Sequence, residues 1–158
     1  MCMLELGNLA SSLAPFNVSA VSVSLNANAQ EAGLVVTLEL FFAAISSLYF
    51  GTVPYKGKSL GLFGSLIVII CYYLCSIAEN IDQITIIKGF SGVGCGMLIA
   101  SGHSILASSY DPNRSYAIFT LFASVTAALL IFISSTWIED GGHKYYFSNF
   151  IYVYVALT

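Results

Sequence analysis

Residues 49–65 read YFGTVPYKGKSLGLFGS. Long apolar runs lie on both sides of this stretch. Between them stand Gly51, Pro54, Lys56, Gly57 and Lys58. Pro54 has no N–H and ends the preceding helix. Gly57 permits a tight turn, because it lacks a Cβ. The lysines stay in water. This is the pattern of two apolar helices joined by a short cationic loop, and the rest of the chain repeats it.

The runs are, in order, Leu4–Leu25, Gly33–Phe50, Leu60–Ala78, Ile84–Ser109, Tyr116–Ile138, and a last one from Tyr145. A helix needs about 20 apolar residues to cross a bilayer. The first run is rich in Ser and Asn, which suits a helix facing other helices or water. The last spans only about 14 residues to Thr158, short for a crossing. Five complete membrane helices and a truncated sixth are therefore expected, in one transmembrane domain over 1–158. The connecting segments NANAQEA, GTVPYKGKS, ENID, YDPNR and EDGGHK are short, so consecutive helices should be antiparallel neighbours.

Composition agrees. Of 158 residues, 58% are hydrophobic and 8% charged, and the mean hydropathy is +0.85. Soluble domains carry roughly a quarter charged residues, so this chain cannot cover a water-facing surface with charge. The class read from these numbers is an all-α integral membrane protein with the lipid bilayer as its first partner. Alternating ten-residue strands, the mark of a membrane barrel, are not seen. The net charge of −3 comes with no basic stripe, so nucleic acid is not an expected partner. Cys2, Cys71, Cys75 and Cys95 show no ligand spacing and read as small apolar packers. No cofactor or metal site is expected. The residues show no Ser/His/Asp order, phosphate loop or catalytic carboxylate pair, so the chain reads as a non-enzyme. The first residues lack the basic region of a cleaved signal peptide.

Charge orients the bundle. Lys56, Lys58 and Arg114 fall in loops on one side. Glu31, Glu79, Asp82, Glu139 and Asp140, with Lys144, fall on the other. Lys/Arg bias marks the cytoplasmic face. The lysine loop and the N-terminus are thus expected in the cytoplasm, whether the membrane is the plasma membrane or a vacuolar or other internal one.

Glu39 and Lys88 are charges that lie well inside the second and fourth runs. Both runs start from the acidic side, so the two groups reach similar depth. An unpaired charge in mid-bilayer costs about 3 kcal/mol or more. They should pair or face a water-filled cavity. His103, far along the fourth run, is placed either to pass protons, since imidazole titrates near neutrality, or to pack at the interface. Gly92-x-x-x-Gly96 fits the small-residue packing motif of membrane helices.

Taken together, these motifs resemble the N-terminal half of the major facilitator superfamily, most closely the fourteen-span drug:proton antiporter group. The family's loop between spans two and three is matched at Gly51, Lys56, Gly57 and Lys58, without its acidic residue. The Arg-x-x-Gln-Gly-x-Gly-x-Gly signature of span four is matched by KGFSGVGCG, with Lys88 for Arg, Ser91 for Gln, and Gly92, Gly94 and Gly96 in register. YDPNRSYAIFTLFAS resembles the four–five loop, and HKYYFSNFIYVYVAL the entry to span six. The Gly-Pro-x-x-Gly-Gly element of span five has no counterpart in SVTAALLIFISS.

The resemblance implies a partial major-facilitator-like bundle that moves a small solute by alternating access, coupled to protons. It implies Gly51, Lys56, Gly57 and Lys58 as a gate loop. Lys88 and Glu39 would lie on the solute or proton pathway, and Gly92, Gly94 and Gly96 would pack helices. It also leaves a second reading open. A truncated or degenerate copy could serve a structural or regulatory role without transport, as a homo-oligomer or beside a full-length relative.

Overall fold

The computed structural model describes residues 2–52 and 57–157. Val53, Pro54, Tyr55 and Lys56, the centre of the opening stretch, lie outside the described residues. Every element among the described residues is helical: α1 (Cys2–Ser12), α2 (Ala14–Leu25), α3 (Ala29–Thr52), α4 (Gly57–Ile77), α5 (Ile81–Ala107) and α6 (Pro112–Leu157). Four of them, α3, α4, α5 and α6, are long and apolar enough to cross a membrane.

The first run, expected as one helix, is two. Proline at position 15 cannot donate to the carbonyl four residues back, and its ring crowds that carbonyl. The chain steps out of helical geometry at Leu13 (φ −105°, ψ 13°), and Phe16 N–H bonds Leu13 O, three residues back, at 3.0 Å. α1 and α2 are thus two short helices joined at this kink. α3 begins with a reciprocal cap: Glu31 N–H donates to Asn28 Oδ1 at 2.8 Å and Asn28 N–H to Glu31 Oε2 at 3.2 Å, the capping-box pattern. α6 begins at Pro112 behind Asp111, whose carboxylate accepts from Arg114 N–H at 3.1 Å.

The segment EDGGHK, expected as a loop, is almost wholly helical. The reversal falls on one residue, Gly142, with φ 62° and ψ −152°, a conformation that L side chains avoid. The Trp137 and Phe150 rings lie 5.5 Å apart. Thirteen residues of straight helix would separate them by about 20 Å, so α6 folds back on itself as two arms. A second expectation also changes. Gly57 does not make a tight turn: it opens α4, and Gly142 is the glycine with positive φ among the described residues.

Contacts give the directions. α3 and α5 run parallel, with Glu39 beside Ser91 and Ser46 beside Val93. α4 runs antiparallel to α5, with Gly57 near Ile105 and Gly64 near Gly94. α1 crosses α5 antiparallel, Gly7 near Ile99 and Leu4 near Gly102. Lys58 and Arg114 therefore share one end of the bundle, and Glu31, Glu79, Asp82, Glu139 and Asp140 the other. α5 is the most enclosed long helix, and the first arm of α6 the least. Large apolar side chains such as Phe41, Leu48, Phe63, Leu66, Phe132 and Tyr152 stand exposed on the outer faces.

Candidate functional site: a buried lysine–glutamate pair

α5 is held between neighbours by glycines on two of its faces. A Cβ at Gly96 would lie 2.5 Å from Ala43 O and 2.6 Å from Ser46 Cβ on α3, and one at Gly92 would strike the carbonyl oxygen of Glu39. On another face, Gly94 meets Gly64 of α4, each 2.8 Å from the other's carbonyl oxygen once a Cβ is added. Such backbone contact is what small residues permit in helix packing. It has a direct consequence for the charges. Gly92 lets the α3 backbone at Glu39 come against α5, which brings the carboxylate within reach of Lys88.

Lys88 Nζ lies 3.1 Å from Glu39 Oε1 and 3.2 Å from Oε2. Ser91 Oγ donates to Glu39 Oε1 at 3.1 Å. Both charged side chains are fully buried. The ammonium sits 4.1 Å from the centre of the Tyr72 ring (α4) and 5.0 Å from that of Phe147 (second arm of α6). The ring faces are electron-rich and favour a desolvated cation. Tyr72 in turn packs against the rings of Phe147, Phe150 and Tyr154, and Tyr154 Oη donates to Leu6 O on α1 at 2.8 Å. The pair thus draws on four helices: charges from α3 and α5, and an aromatic cover from α4 and α6 that is pinned to α1. Cys71, Cys75 and Cys95 are free thiols buried in the interior.

Burying two charges costs several kcal/mol per ion, and attraction repays this when geometry is good and the remaining polar valences are filled. Here Ser91 fills one carboxylate valence, and the rings supply part of what water would give the ammonium. Chemically, the site can exchange a proton between carboxylate and amine, or accept a competing charged group if the helices part.

The gate-loop positions are elsewhere. Gly51 is exposed near the end of α3, Gly57 is the first residue of α4, and Lys58 is exposed beside it; Lys56 lies outside the described residues. Twelve residues of α3, about 18 Å of helix, separate Gly51 from Glu39. At this end is a cavity of about 570 Å³ whose lining includes Ser47, Gly51, Gly57, Ser101, His103 and Tyr116. His103 Nδ1 and Tyr116 Oη are 3.2 Å apart. The structure thus brings Glu39, Lys88, Gly92 and Gly96 together, turns Gly94 toward α4, and leaves Gly51, Gly57 and Lys58 at the lysine end.

Sequence reading assigned no role to Ser91, Tyr72 or Phe147. Ser91 was visible as the polar member of KGFSG. Tyr72 carried no local signal inside an apolar run, and Phe147 was one aromatic among many. Among the described residues no group of three or more His, Cys, Asp or Glu side chains is placed to hold a metal ion. No family model, curated protein or solved structure matches this chain.

Proposed function

We propose that the chain is an integral membrane protein with the architecture of a partial major facilitator bundle, moving a small solute with protons as the coupling ion. The observation that carries this reading is the Lys88–Glu39 pair. Each member sits well inside a helix long and apolar enough to cross a bilayer, and intramembrane ionisable groups ordinarily mark ion or solute pathways. Exposed large apolar side chains on the outer faces supply the lipid-facing surface such a protein needs. The lysine end then faces the cytoplasm with the N-terminus, by the positive-inside bias of Lys58 and Arg114. The glycine contacts of α5 with α3 and α4 give interfaces on which helices could rock.

A non-transporting role competes, and one observation favours it: the pair is fully enclosed and roofed by aromatic rings, as a structural pair would be. Reconstitution separates the two. Purified protein in liposomes, loaded with a pH-sensitive dye and given an imposed pH gradient, should show proton movement when a transported solute is added from a panel of small molecules. Compared at equal amounts of inserted protein, Lys88→Ala should abolish that movement. Absence of solute-linked proton movement across the panel, with inserted and folded protein, would favour the structural role. The orientation has its own check. Cysteines introduced at the exposed Ser59 and Glu79 should label from opposite sides of sealed vesicles, and labelling from one side would refute the topology.

A further inference from the structure

Three segments meet at one histidine at the acidic end of the bundle. His143 follows Gly142 in the turn between the two arms of α6, outside the apolar spans. Its backbone N–H donates to Ser24 Oγ near the end of α2 at 2.7 Å. Its ring Nε2 lies 3.1 Å from Ala78 O, one residue beyond the last residue of α4. The final carbonyls of a helix have no partner within it, so the imidazole supplies a donor that α4 cannot find in itself. Gly142 is part of the same joint, since a side chain there would strike Ser24 Oγ.

The geometry also assigns the tautomer. A carbonyl oxygen only accepts, so Nε2 carries the hydrogen and Nδ1 is a bare lone pair. The ring is buried, 4% exposed, and Nδ1 has no hydrogen-bond partner among the described residues.

We propose that His143 is a pH-sensitive latch: neutral, it ties the ends of α2 and α4 to the turn of α6, and protonated, it releases them. The added proton has one place to go, Nδ1. There it creates a buried N–H with no acceptor, and a buried donor without a partner is costly. Burial pushes the imidazole below its ordinary value; the bond to Ala78 opposes this, and Lys144 adds to it. The charged groups around the joint are known from each side. Glu139, Asp140 and Lys144 lie on α6, Glu79 between α4 and α5, Asp82 in the first turn of α5, and Glu31 in the first turn of α3, all exposed. The end of α2 contributes Ser24 and Asn26, which are uncharged.

The sign follows from linkage. An imidazole held low in the closed form is neutral in both forms above about pH 6.5, so the latch is intact there. As pH falls through that value the open form takes up protons the closed form resists, and the closed form loses stability. The other histidine, His103, is exposed and hydrogen-bonded to Tyr116 at the opposite end. Ordinary carboxylates titrate about two units lower.

Hydrogen exchange tests the latch on the full chain in phosphatidylcholine nanodiscs. Peptides covering 22–28 and 76–82 would be compared at about pH 7.5 and about pH 5, on either side of the ordinary imidazole value, after correction for intrinsic exchange. Those amides should open severalfold more at the lower pH, because the open form takes up the proton that the closed form resists. His143→Gln keeps an N–H donor and does not titrate, so its exchange should be flat, while His103→Gln should respond like the parent chain. A flat response in the parent, or an unchanged response in His143→Gln, overturns the proposal. Should His143→Gln fail to fold, Ser24→Ala removes one tie without touching the ring and should raise the pH at which the amides loosen. An unmoved midpoint in that variant overturns the proposal equally.

Discussion

Replacing Lys88 with methionine keeps most of the side chain's volume and removes its charge. Glu39 then loses contacts at 3.1 and 3.2 Å and keeps only the Ser91 hydroxyl. It stays in the same fully buried position, because Gly92 and Gly96 still hold α3 against α5. Breaking a buried pair by removing one partner costs about 3–5 kcal/mol, since it leaves an uncompensated charge. Removing both charges is different: a neutral, well-packed replacement is often no worse than the pair. The double variant Lys88→Met/Glu39→Gln should therefore be more stable than Lys88→Met alone, by at least about 1 kcal/mol. That difference lies outside the additivity expected of independent sites. Reversible unfolding in mixed micelles, followed by far-ultraviolet circular dichroism, measures all four corners of the cycle. If Lys88→Met costs under about 1 kcal/mol, or the double variant equals the sum of the singles, the two groups do not behave as a buried ion pair.

Two further outcomes follow from the packing. Gly96→Ala should destabilise by about 1–3 kcal/mol, the range for overpacking, because its Cβ meets the α3 backbone rather than a movable side chain. Gly33→Ala, with open space around it, should be neutral or gain up to about 1 kcal/mol from helix propensity; equal losses in the same unfolding assay would refute the close approach of α3 and α5. Tyr154→Phe removes the bond to Leu6 O while keeping the ring over Tyr72. It should cost about 1 kcal/mol and raise hydrogen exchange in α1 more than in α3, and unchanged exchange in α1 would show that this tie does not hold it.

The charge pair shows how far local reading reaches. Glu39 and Lys88 stood out because each interrupts an apolar run, and counting residues from the acidic side put them at similar depth. Their contact, across 49 residues of sequence, needed α3 and α5 to be parallel neighbours at glycine distance. Nothing in either run alone states that. The kink at Leu13 was legible in Pro15, but the first run was read as one helix; the α6 reversal was read as the loop EDGGHK and falls on Gly142 alone.

What the sequence by itself determined is the helical class and the ends of the bundle. Apolar runs about 20 residues long satisfy their own backbone hydrogen bonds as helices, and Lys58 and Arg114 separate from Glu31, Glu79, Asp82, Glu139 and Asp140 by loop order alone. Only the tertiary structure decided what surrounds the charges: the Tyr72 and Phe147 rings over Lys88, the Tyr154–Leu6 tie, and the His143 joint. Helix formation depends on neighbours three and four residues away. These contacts depend on which faces of different helices meet, and that is settled by close packing across the whole bundle.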